Sequence, residues 1–155
     1  MKYKFREYFY QVLEESVQTL LEMPLLEMAS ERTDCRIKIQ SNDVGLWVHL
    51  LCILLKPEHT ARHHWKEEVL NIYCQNIADV QRRMRRSKFT AAELYKMLAN
   101  NSIKKAAIKR YKKKWDIAVE PTPYDCLRVE SLLEKMCLAL ETDEWEETIG
   151  ELLNN

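Results

Sequence analysis

Glycine and proline are scarce in this chain, with 2 Gly and 4 Pro in 155 residues. That excludes a fold of many short strands joined by tight turns, and it leaves no room for a glycine-rich phosphate loop. The 5 cysteines form no CxxC pair and their number is odd, which argues against a disulfide framework or a zinc ribbon. Long apolar runs are missing too. The longest, VGLWVHLLCILL over residues 44–55, has twelve residues, short of the roughly 18 that mark a bilayer-spanning helix. The opening MKYKFREYFY is charged and aromatic, without the apolar core of a secretory signal. The expectation is a soluble cytoplasmic protein with no membrane partner, its thiols reduced and buried.

The composition, 46% hydrophobic and 31% charged, is that of a globular domain. A chain of this length buries roughly 70% of its unfolded surface as one unit, so residues 1–155 are read as a single helical domain. Its organising stretch is residues 44–55, interrupted only by Gly45 and His49. A segment apolar on every side must be covered on every side. Its neighbours have the apolar spacing to cover it. The expected fold class is all-α, a bundle of six or seven helices around this central one.

Taken in order, residues 3–22 read as an amphipathic helix stopped by Pro24. Residues 33–41 alternate with a period of two and read as extended chain. Ser41, Asn42 and Asp43 are cap candidates for the central helix. The longest helix is expected over 58–86, opened by Pro57, with Trp65, Val69, Ile72, Tyr73, Ile77, Val80 and Met84 on one stripe. Thr90 followed by Glu93 is a capping box, and Phe89 with Leu94 a hydrophobic staple. A basic helix follows over 103–119, then a rigid extended loop Glu120-Pro-Thr-Pro-Tyr124. Two more helices are expected over 127–140 and 142–153, the last capped by Thr142.

Several landmarks in sequence resemble a bacterial all-α family catalogued as domain of unknown function number twenty-nine. They are Phe9-Tyr10, then His49-Leu50-Leu51, then Pro57, Arg62, Trp65, Ile72 and Ile77, and last Pro123-Tyr124 before Val129, Leu132 and Leu133. The stretch before His49 is shorter than in the family pattern. The resemblance implies an all-α fold and brings no activity or catalytic residues with it.

Net charge is zero, but its distribution is uneven. Residues 82–114 hold thirteen Lys and Arg against Glu93 alone, whereas residues 116–155 hold eleven acids against Arg128 and Lys135. Three readings follow. In the first, the protein is a non-enzymatic interaction module. Its basic surface (Arg82, Arg83, Arg85, Arg86, Lys104, Lys105, Lys109, Arg110, Lys112 and Lys113) meets an acidic protein partner or, in a homodimer, the chain's own acidic helices. In the second, the same cations neutralise nucleic-acid phosphates while Tyr95, Tyr111 and Trp115 stack on bases. In the third, His59, His63 and Glu67, spaced i, i+4, i+8, converge on a metal ion if the segment is helical throughout. Thr60 stands where the zinc-protease motif needs glutamate. His49 reads as a core histidine bonded to a backbone carbonyl. No catalytic triad and no cofactor motif is legible, so no catalytic residue is assigned.

Overall fold

The computed structural model describes residues 42–84 and 88–154. The segments 3–22 and 33–41, with Cys35, Ser41, Arg85 and Arg86, lie outside the described residues. Six helices, and no strand, occur among the described residues, so the fold class is all-α. None of the helices is long and apolar enough to cross a membrane.

Helix α1, residues 42–55, is the centre of the packing. Trp47, Leu50 and Leu51 are wholly buried, and Leu46, Cys52 and Ile53 nearly so. The apolar run is therefore sheathed, as its composition requires. Asn42 and Asp43 are themselves helical and so are not caps. Helix α2 follows after a short turn and runs in three pieces: Arg62–Glu68, a π-helical stretch Val69–Cys74, and Gln75–Arg83. Val69 and Cys74 are both fully buried although five residues apart. A regular helix keeps one face at spacings of three and four. The π-helical hydrogen-bond register widens one turn and lets the fifth residue come round to the core.

Side-chain bonds tie α1 to its neighbours. The Trp47 Nε1–H donates to the Leu98 carbonyl (2.8 Å), and the Arg62 Nε–H donates to the Ile53 carbonyl (2.9 Å). His49 donates from Nδ1 to the Gly45 carbonyl (2.8 Å), with Nε2 3.2 Å from Glu68 Oε1. Gly45 is set closely against Tyr73. A Cβ there would lie 2.6 Å from the Tyr73 hydroxyl and 3.2 Å from two ring carbons. The Tyr73 ring is held in turn by His49, with centroids 5.0 Å apart. Gly45→Ala adds helix propensity of about 1 kcal/mol, but the clash outweighs it. The expected net effect is a loss of about 1–2 kcal/mol, recovered in part by Tyr73→Phe in the same chain. Urea titration of the two variants checks both halves.

Helix α3, Ala91–Leu98, begins at the capping box read from the sequence. The Glu93 amide donates to Thr90 Oγ1 (3.2 Å) and the Thr90 amide to Glu93 Oε1 (2.9 Å). Helix α4, Asn101–Trp115, is capped by Asn100 and stops where Asp116 turns left-handed at φ 51°. Helix α5, Pro123–Ala139, starts four residues before the expected 127. Pro123 occupies its first turn, where a missing N–H costs nothing. Thr122 and Asp125 make a second capping box. Helix α6 is Trp145–Asn154. Thr142 does not cap it. Its hydroxyl donates instead to the Ala139 carbonyl at the end of α5 (2.8 Å). Helix α3 packs on α5, α5 on α6, and α6 on the π-helical turn of α2.

The basic face of helix α4 as candidate interaction site

Helix α4 presents two chemically different sides because its apolar residues recur at four. Ile103, Ala107 and Tyr111 are buried. Burial pushes the Tyr111 phenol up to about 12. Trp115 continues this side at the helix end. Its Nε1–H donates to Cys52 Sγ (3.4 Å), it meets Trp65 edge to face with centroids 6.0 Å apart, and His59 lies 5.3 Å away. Lys56 Nζ sits 4.6 Å and Lys114 Nζ 5.5 Å from the indole centroid, within cation–π range. The aromatics interleaved with the lysines are thus committed to the interior and to cations. Tyr111 offers no face on which a base could stack.

The opposite side is cationic. Lys105, Lys109, Arg110 and Lys113 are exposed, and none is within ion-pair distance of a carboxylate among the described residues. Lys105, Lys109 and Lys113 recur every four residues, on one stripe. Their neighbours are matched at home. Lys104 pairs with Glu130 (3.2 Å) and Lys112 with Glu120 (3.7 Å). The acidic half of the chain therefore neutralises the flanks of α4 from α5 and the preceding loop, leaving its outer stripe bare. Exposed Glu147 and Glu151, one turn apart on α6, have no cation at ion-pair distance among the described residues. Arg82 pairs with Asp79 at 3.0 Å, and Arg83 is exposed at the end of α2. These two end another helix, as the sequence reading of two basic patches expects.

The histidines fall apart as a metal set. Helix α2 starts at Arg62, so His59 lies outside it and the shared face with His63 and Glu67 does not form. His59 stacks on Trp65, centroids 4.9 Å apart, and its Nδ1 accepts the Ala61 amide (3.0 Å). Among the described residues no group of three or more His, Cys, Asp or Glu is arranged to hold a metal ion. The sequence reading missed a different grouping, in which Glu68 Oε1 takes both His49 Nε2 and His64 Nε2 (3.2 and 3.1 Å). Only the i, i+4 half of it, His64 with Glu68, was visible as a spacing. With both nitrogens of His49 engaged, the ring ties α1 to α2 and has no atom free to act as a general base.

Cys52, Cys74, Cys126 and Cys137 are buried free thiols. Burial raises all four, Cys137 to about 12 with Glu134 and Glu141 adding to it. A thiol so raised is a poor nucleophile. Compared with protein families, curated proteins and solved structures, the chain matches none.

Proposed function

We propose that this protein is a non-enzymatic interaction module that uses the outer stripe of α4 to bind an acidic protein surface. The observation that carries the reading is the group Lys105, Lys109, Arg110 and Lys113, exposed and unmatched among the described residues while Glu130 and Glu120 are spent on Lys104 and Lys112. A row of unpaired lysines steers and orients a partner of opposite sign. The buried position of Tyr111 favours a protein partner over single-stranded nucleic acid, which is held by stacking as much as by charge. A second copy of the chain is one such partner, since Glu147 and Glu151 offer it the complementary row. The family resemblance adds an all-α fold to this reading and no role.

The test is fluorescence anisotropy with labelled poly-L-glutamate and with mixed-sequence duplex DNA at low and high salt. Poly-glutamate is expected to bind at low salt, and K105E/K109E/K113E to weaken it at least tenfold. Tighter binding of duplex would instead select the nucleic-acid reading, with Lys104 and Lys112 joining the row. Failure of both probes at low salt leaves α4 a solvated face. Sedimentation at rising concentration reads the self-pairing arm. A dimer that dissociates in salt supports it, and an unchanging monomer removes it.

A further inference from the structure

The five exposed large hydrophobic residues among those described all fall between positions 117 and 138: Ile117, Val119, Tyr124, Leu127 and Leu138. Three are on α5, and there they are 69%, 60% and 56% exposed. Tyr124, Leu127 and Leu138 are spaced three and eleven apart, which puts them on one side of the helix with Ser131 between. From Tyr124 to Leu138 that side runs about 21 Å. Beside it opens a groove of about 400 Å³ floored by Leu54, Leu132 and Leu152. Its two charged lining residues are both cations, Arg128 and Lys135. An exposed apolar strip with a polar rim marks a site of association.

We propose that this groove receives an amphipathic helix from a partner protein, its leucine or phenylalanine side chains set on the α5 strip and its acidic flank against Arg128 and Lys135. The length of the strip suits about four turns of helix. Lys135 has no carboxylate at ion-pair distance among the described residues and Arg128 has a 3.9 Å contact with Asp125 of its own helix, so Lys135 chiefly, with Arg128 beside it, selects an acidic flank on that side. Glu134, exposed on the other flank of the same strip, repels acid there and so fixes which way round the helix lies. An antiparallel second copy of this chain fits less well. In an antiparallel two-fold pair of α5 helices like flanks face each other, which sets Arg128 against the partner subunit's Lys135. The site is separate from the α4 stripe and does not depend on it.

The experiment uses the full chain and two labelled synthetic helices of about 18 residues, both with leucine at i, i+3, i+7 and i+14, one flanked by glutamate and one by lysine. The glutamate-flanked helix is expected to bind more tightly. L127E and L138E, each with an unchanged circular dichroism spectrum, are expected to weaken it about tenfold. R128E/K135E is expected to reverse the preference toward the lysine-flanked helix. K105E/K109E/K113E is expected to leave it unchanged, so failure here and failure of the α4 reading are distinct results. The proposal is overturned if neither helix binds, if R128E/K135E leaves the preference as it was, or if oleate binds the groove and the helices do not. A wild-type dimer abolished by L127E would overturn it as well, by assigning the strip to a second copy.

Discussion

Trp47→Ala is expected to lower the unfolding free energy by about 3–5 kcal/mol. Trp47 has no exposed surface and belongs to the main cluster of buried apolar residues. Its removal opens a cavity in a region with no spare side chain to fill it. The indole also donates to the carbonyl of Leu98, the last residue of α3. That carbonyl has no partner within its own helix, so truncation strips a helix end of its acceptor bond in addition to the packing. Trp47→Phe separates the two losses. Most of the ring volume stays, the N–H goes, and a cost of about 1–3 kcal/mol is expected for the orphaned carbonyl. Urea unfolding followed by circular dichroism measures both. A Trp47→Ala protein within 1 kcal/mol of the parent would mean that α1 is not the core.

Asp43→Asn is expected to stabilise the protein in alkaline solution and to change little in acid. Asp43 is buried on α1, and its Oδ1 finds no hydrogen-bond partner. Burial without compensation penalises the ionised form, and the folded carboxyl is pushed up to about 8 from 3.8. In the unfolded chain it gives up its proton near 3.8. Between these values the folded state holds a proton that the unfolded state has lost. Stability is therefore full below about pH 4, falls as pH rises toward 8, and levels off above it. The total is on the order of 5 kcal/mol, and the asparagine chain does not pass through that loss. Unfolding midpoints at pH 5, 7 and 9 decide the matter. Parallel curves for the two proteins would show that Asp43 ionises freely.

What was legible in the chain was what is local or what is overwhelming. The residues 44–55 run is apolar on all sides, and no neighbour could turn it into anything but the centre of the core. The Thr90–Glu93 box closes within four residues and needs no tertiary partner. The same chemistry at Thr122 and Asp125 was misread because Pro121 and Pro123 look like breakers, when a proline in the first turn is a starter. The expected stripe on α2 placed Ile72 and Tyr73 inward with Val69. Tyr73 does pack against the core, but Ile72 is only half-buried and Cys74 is wholly buried beside them, because a period of 3.6 cannot foresee a turn that takes in an extra residue. The charge separation was plain, but which cations would be matched was not. That depended on α5 and its leading loop coming beside α4, a matter of long-range contacts such as Lys104 to Glu130. The metal reading failed for a neighbouring reason, since the spacing of His59 and His63 has meaning only inside a helix that begins one turn later.

The widened turn at Val69–Cys74 acts as a phase shifter for everything after it. Each residue of an α-helix advances the azimuth by about 100°, so a stretch that takes one residue too many returns the following segment turned by that amount. Gln81 then points at the chain ahead of α3, where its amide both donates to and accepts from the Phe89 backbone (3.1 and 2.9 Å). Tightening 69–74 to a regular α-helix with every residue kept would swing Gln81 a quarter-turn or more away from that clasp, whereas deleting one residue there would leave its direction unchanged. The register error thus sets the direction in which the second half of the molecule leaves the first.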